Sequence, residues 1–233
     1  MPSRTSRLPA DDRKQAILLA ASPIFARLGA NATTKEIARA AGVSEALLYR
    51  HFSGKEALYA ELERHCVEAN DLGERFVSSA DPSTATLVTG VALLVQAVFP
   101  GMGSQQNHED TKRLVTSSLL GDGRLARTFL ERHVRPWTDV FEKSLHAARA
   151  AGDVESGISA GKAEIWFVHH LANTLHLISL PQEQVVDYGM TRDELVEATV
   201  RFLLRGLGLS NAAIERHYDP EKLEPLFMRM DQE

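Results

Sequence analysis

Apolar residues recur along this chain at intervals of three and four, the spacing that gathers them on one face of an α-helix. Ile17, Ala21, Ile24, Phe25 and Leu28 form such a face and predict a first helix over 12–28, stopped by Gly29. The same periodicity predicts helices over 34–41, 44–51, 54–71, 82–99, 105–119, 123–151, 159–180 and 192–208, with short helices after Ser210. Three capping boxes mark starts: Thr33 with Glu36, Ser53 with Glu56, and Thr191 with Glu194. Asp81-Pro82 and Asp219-Pro220 offer two more, each a capping acid followed by proline at the first helical position. Loops are expected at Pro100–Gly103, Gly121–Gly123 and Pro181–Met190. Alternation of the strand kind is nearly missing, so the expected class is all-α.

The helix over 82–99 and the stretch 165–180 carry no Asp, Glu, Lys or Arg. A helix without a charged face must be covered on all sides. The first is expected at the centre of the subunit. The second, IWFVHHLANTLHLISL, invites cover from another subunit. Along 192–208 the polar positions narrow to Glu197, Arg201 and Arg205, with Leu195, Val196, Val200, Phe202, Leu203 and Leu207 around the rest. Two such helices per subunit can make a four-helix dimer interface through Phe167, Leu171, Leu175, Ile178, Val196, Val200, Leu203 and Leu207. Burial inside one protomer is the alternative.

Residues 33–58, TTKEIARAAGVSEALLYRHFSGKEAL, hold the most informative pattern. Ile37, Ala38 and Ala41 face inward from one short helix, and Leu48 and Phe52 from the next. Gly42 permits a sharp turn by adopting positive φ. Val43 plugs that turn and Ser44 caps the second helix. Such a pair presents its second helix to a major groove. At 100° per residue, Ala46, Tyr49 and Arg50 lie opposite Leu48 and Phe52, flanked by Glu45 and Leu47. Arg50 can donate to guanine or phosphate, Glu45 can accept from cytosine N4, and Ala46 and Leu47 can touch a thymine methyl. Thr34, Lys35, Tyr49, His51 and Lys55 can hold phosphates, and Arg4 and Arg7 can reach a neighbouring minor groove. By geometry alone, any tight glycine corner packs this way, and Ala46 and Leu47 would also suit a protein–protein contact.

Charge sharpens the picture. Residues 1–55 hold nine Lys/Arg against four Asp/Glu, whereas the remainder holds seventeen against twenty-seven. A basic module on an acidic body points to an anionic partner for the module alone. The single cysteine, Cys66, excludes an internal disulfide and a cysteine-rich zinc site, and is expected to be a small buried apolar residue. With 44% apolar and 24% charged residues, the chain can build a core. The N-terminus lacks the apolar segment of a secretory signal, and no apolar run reaches the length of a membrane span. A soluble cytoplasmic protein without membrane contact is expected. No phosphate loop, nucleophile elbow or zinc-protease motif is present, so no catalytic residues are assigned. His169 and His176 share a side of their helix too far apart for one ion, and the adjacent pair His169–His170 is expected to point two ways, so no metal is assigned.

The segment AGVSEALLYRHFSGKEAL, preceded by TTKEIA, resembles the DNA-binding domain of the TetR (tetracycline repressor) family over roughly residues 12–60. Ile37-Ala38, Ala41-Gly42-Val43, Leu48-Tyr49, His51-Phe52, Lys55 and Leu58 fall at the family's spacings, and the loop from Gly29 to Thr33 is one residue shorter than usual. The resemblance implies base-edge contacts from Glu45, Ala46, Leu47 and Arg50. It implies phosphate contacts from Thr34, Lys35, Tyr49, His51 and Lys55. It implies a three-helix domain over 1–56 and a larger helical domain over 57–233 for effector binding and dimerisation. The function it implies is that of a homodimeric regulator, a repressor released from a double-stranded operator by a small molecule. No cofactor is implied. For the effector, His133, Trp137 and Phe141 share one helix face, as do Trp166, His170 and Asn173, a mixture suited to an apolar ligand with one or two polar groups. An effector-less helical DNA-binding protein and a protein-interaction module are the competing readings.

Overall fold

Helical periodicity becomes twelve α-helices among the residues that the computed structural model describes, namely 10–68, 72–99, 106–181, 183 and 185–223. Arg4 and Arg7, the side chain of Cys66 and the expected loop at 100–103 lie outside the described residues. The helices are α1 (Ala10–Leu28), α2 (Thr34–Ala40), α3 (Glu45–His51), α4 (Lys55–Glu68), α5 (Leu72–Ser79) and α6 (Thr84–Val98). They continue with α7 (Gln106–Leu119), α8 (Arg124–Phe129), α9 (Arg135–Ala150), α10 (Lys162–Ser179), α11 (Arg192–Gly206) and α12 (Asn211–His217). The all-α expectation holds; among the described residues the one strand-like element is an isolated bridge between Val154 and Leu209.

Three expectations are corrected. The helix foreseen over 123–151 is interrupted by a π-helical turn at Leu130–Val134 before α9 begins. Pro136 explains the break: it has no N–H for the carbonyl of Arg132, and its ring crowds that turn. The helix foreseen from Asp81-Pro82 begins two residues later. Ser83 caps it, its hydroxyl accepting from the Thr86 amide at 3.1 Å, while the Thr86 hydroxyl donates back to the Asp81 carbonyl at 2.5 Å. Finally, α5 lies between the helices foreseen over 54–71 and 82–99, in a stretch for which no helix was foreseen. By contrast, Asp219 does precede a helical turn starting at Pro220, with the Lys222 amide 3.4 Å from its carboxylate.

The helices gather into two compact units. The first contains α1–α4 with α7 and α8. Its core joins Ile17, Phe25, Ile37, Ala38, Leu48, Phe52, Leu58 and Leu62 to Leu114 of α7 and Leu125 of α8. Here α1 packs against α2, α4 and α7. Lys14 pairs with Glu61 at 2.8 Å, and Arg124 with Glu63 at 2.9 Å.

The second unit contains α5, α6 and α9–α12. The charge-free α6 is its centre, packed against α9, α10, α11 and α12, with Leu87, Val88, Val91 and Val95 buried. Gly90 lets this happen: a Cβ there would lie 2.5 Å from Phe141 and 2.8 Å from Phe76. The loop after α9 is fastened to the α11–α12 corner by the Glu155 amide on the Gly208 carbonyl (2.9 Å) and the Ser210 amide on the Asp153 carbonyl (2.9 Å).

Asp153 is buried at this junction. Its carboxylate accepts from the Thr84 hydroxyl at 2.6 Å and from Arg216 at 2.8 Å, with His217 at 3.7 Å. The Thr84 bond, joined by Arg216 and His217, holds this carboxyl below its ordinary value against the opposing effect of burial. A carboxyl depressed in the folded state stabilises above its unfolded pKa of about 3.9, and that contribution disappears as pH falls through the folded value. The wild-type urea midpoint is therefore expected to drop below about pH 4 more steeply than that of Asp153→Asn. Parallel acid limbs for the two proteins would refute the assignment.

Candidate nucleic-acid interface

The corner between α2 and α3 is fixed by local hydrogen bonding before any long-range contact is made. Thr33 accepts from the Glu36 amide at 3.2 Å, and the Glu36 carboxylate accepts from the Thr33 amide at 3.0 Å, closing the expected capping box. At its far end α2 stops at Gly42, whose φ is +64°. The Gly42 amide donates to the Arg39 carbonyl at 3.2 Å and the Val43 amide to the Ala38 carbonyl at 2.9 Å, a paired closure that needs the left-handed residue. Ser44 then caps α3 by accepting from the Leu47 amide at 3.2 Å.

Burial sorts the two faces of α3. Leu48 and the following Phe52 sit in the first unit's core beside Ile37 and Ala38. Glu45, Ala46, Tyr49 and Arg50 are exposed, Tyr49 by 51%, and Leu47 and His51 are half-buried. Lys35 is exposed and Thr34 half-buried at the start of α2; Lys55, half-buried, opens α4. All nine sequence-derived contact candidates thus lie on α2, α3 or the first turn of α4. Lys14 of α1, which the sequence did not single out, stands 5.7 Å over the Phe52 ring and braces the end of α3. The Thr34 hydroxyl donates to the Glu45 carboxylate at 2.9 Å, and Tyr49 OH lies 3.5 Å from the same hydroxyl. This arrangement has an exposed helix face with donors, one acceptor carboxylate and small apolar groups, which is the chemistry that reads base edges.

The effector candidates separate. His133 and Phe141 are buried in the second unit, where half-buried Trp137 stacks on Phe76 (4.8 Å, 21°) and meets Phe141 edge-on at 6.0 Å. Phe76 belongs to the unforeseen α5; its signal was only Leu72 and Phe76 at i,i+4. Trp166 and His170 form a second ring group on α10, stacked at 5.7 Å with His169 beside them. His170 is exposed, and the Asn173 amide is engaged by the His169 carbonyl at 2.9 Å. The rings of His169 and His170 converge, Nδ1 to Nδ1 at 3.3 Å, rather than pointing apart. Burial and the neighbouring His170 push His169 down to about 4, which keeps it neutral at physiological pH. Among the described residues no group of three or more His, Cys, Asp or Glu suited to a metal occurs.

The interface candidates also divide. Phe167 is 58% exposed, and Leu171, Leu175 and Ile178 are half-buried on α10. Val196, Val200, Leu203 and Leu207 are instead packed into the protomer's own core. The reason is α6, against which α11 packs; the polar stripe meanwhile holds the segment that follows, Arg201 bonding Glu197 at 2.8 Å and Glu215 at 2.7 Å and covering the Tyr218 ring at 5.3 Å. That leaves Phe202, 64% exposed, as the outward aromatic of α11.

Residues 17–62 match the model of the tetR family of bacterial regulatory proteins. That match is confined to the N-terminal helix-turn-helix segment, which resembles the DNA-binding domain of that family. A 64-residue stretch is 50% identical to FasR, an HTH-type transcriptional activator of Mycolicibacterium smegmatis; it covers 27% of this chain and 29% of FasR, so less than a third of that relative is matched. The fold likeness reaches further. A tetR-family regulatory protein from Rhodococcus RHA1 superposes with a TM-score of 0.61 at 19% identity, covering 85% of this chain and 98% of that one. A Clostridium perfringens protein described as a fatty acid metabolism regulator gives a TM-score of 0.58 at 17% identity, over 82% of this chain and 97% of its own. At these identities the likeness is one of fold. No helix among the described residues is long and apolar enough to cross a membrane.

Proposed function

We propose that this chain is a homodimeric transcription regulator that reads a two-fold symmetric DNA operator with α3 and is governed by a small-molecule effector held in its second unit. The observation that carries this is the rigid corner turning Glu45, Ala46, Tyr49 and Arg50 outward while Leu48 and Phe52 anchor their helix. Residues 1–56 supply the DNA contacts, and 57–233 supply effector binding and dimerisation. Two copies meet through Phe167, Leu171 and Ile178 of α10 and Phe202 of α11, so that two recognition helices face two half-sites. The effector sits beside His133, Trp137 and Phe141, whose rings suit an apolar body and whose imidazole suits one polar group. It acts by preferring the conformation that fits the operator less well. A coupling of about 1–3 kcal/mol changes occupancy roughly 5- to 150-fold. The protein acts in the cytoplasm as a repressor, without catalysis or cofactor; an operator placed to recruit polymerase would turn the same head into an activator's.

The test is selection of bound fragments from random duplex DNA, repeated with candidate small molecules. A two-fold symmetric site with salt-sensitive affinity supports the reading. No attraction to any duplex would overturn it. On the selected site, Arg50→Ala is expected to lose about 1–3 kcal/mol of discrimination at one base pair. Lys55→Ala is expected to weaken binding on all sequences alike and to lower the salt slope by about one. Binding assays across single-base variants at several salt concentrations check both.

A further inference from the structure

The hydroxyl of Thr34 is engaged within the protein. It donates to Glu45 Oε2 at 2.9 Å, and Tyr49 OH stands 3.5 Å from it. Thr34 is the first residue of α2, held in place by the Thr33–Glu36 box, and Glu45 is the first residue of α3, held by the Ser44 cap. The clasp thus bridges the starts of the two helices from opposite sides of the Gly42 turn. Tyr49 sits one turn beyond Glu45 on α3, so both side chains reach the same Thr34 hydroxyl on the exposed surface.

This arrangement solves a problem that an acidic residue poses at a DNA surface. A free carboxylate sweeping its rotamers meets phosphate charge, and ordering it on binding costs side-chain entropy. With Oε2 held by Thr34, Glu45 is ordered in advance, and Oε1 is left to accept from an incoming donor. In the major groove the exocyclic amine of cytosine offers that donor, and the O6 and N7 of guanine or the O4 of thymine do not. We propose that Thr34 is a positioning residue for base readout: its hydroxyl fixes Glu45 to accept from an exocyclic amine, so preference at one base pair depends on a residue that touches no base. This rests on the DNA-binding reading above. It replaces the phosphate contact that the family resemblance implies for Thr34.

Thr34→Val removes the hydroxyl and keeps the shape, Thr34→Ser keeps the hydroxyl, and Glu45→Ala removes the reader. Each variant is first shown to melt like the wild type, then measured against the selected site and its single-base variants at several salt concentrations. Thr34→Val is expected to reduce discrimination at the Glu45 base pair about 3- to 10-fold, the worth of one net hydrogen bond. The salt slope and the affinity for unrelated DNA should stay unchanged. Thr34→Ser should restore the preference, and adding Thr34→Val to Glu45→Ala should change nothing further. A uniform loss across all sequences with a shallower salt slope would return Thr34 to phosphate binding and overturn the proposal. So would additive effects in the double variant. A wild type that discriminates among duplexes while Thr34→Val keeps the same pattern sinks the clasp alone, whereas a wild type that ignores every duplex sinks the DNA-binding reading with it.

Discussion

Replacing Phe167 and Phe202 together by aspartate is expected to turn the proposed dimer into monomers and to lower operator affinity by about 10²- to 10⁴-fold, the advantage that linked half-sites confer. The two rings are 58% and 64% exposed in the isolated chain and stand on α10 and α11. Each is worth about 1.5–3 kcal/mol when moved from water into an apolar contact, and a two-fold axis uses every residue twice. Aspartate removes that gain and sets like charges against each other across the axis. Neither side chain belongs to the protomer's core, so the thermal unfolding of the monomer should hardly change. Sedimentation together with binding to whole and half operators measures both effects. A doubly substituted protein that sediments as the wild-type dimer would move the interface elsewhere.

Phe141→Ala is expected to cost about 3–5 kcal/mol of folding free energy, the range for emptying a buried aromatic site. The Phe141 ring is 1% exposed, meets Trp137 edge-on at 6.0 Å and lies where a Cβ on Gly90 would stand 2.5 Å away. The neighbours that would have to collapse are themselves constrained: Gly90 is backbone of the central helix, and Trp137 is already stacked on Phe76. At about 2–4 °C per kcal/mol for a chain of this size, the melting temperature should fall by roughly 6–20 °C. Urea denaturation gives the free energy directly. A loss below about 1 kcal/mol would mean that the ring borders open space rather than packed core.

Where signals are local, the chain could be read directly. The corner between α2 and α3 is encoded within the twenty residues from Thr33 to Phe52, because its caps, its glycine and its inward faces all lie within a few positions of one another. Thr33, Gly42, Ser44 and Thr191 act as their residue types dictate. The difficulties arise where a partner distant in sequence decides. Val200 and Leu207 look like interface residues on a helical wheel, yet α11 packs them against α6 of the same chain. Exposure of His170 follows from how α10 is rolled on α6, which no periodicity within α10 specifies. Pro136 was legible in principle; the apolar repeat around it outweighed a residue that cannot continue the backbone ladder. The short α5 has too few turns to stand out and is stabilised by Phe76 stacking on Trp137 of α9, far along the chain.

The presence of Leu114 and Leu125 in the same buried cluster as Ile17, Phe25 and Leu48 has a consequence for biogenesis. A nascent chain that has emerged only as far as α4 possesses the whole sequence of the corner but not the wall that seals its interior. The head can therefore complete its folding only after α8 has left the ribosome, with α5 and α6 already waiting outside. A graft of this head onto another regulator would need both stretches of chain, delivered in that order.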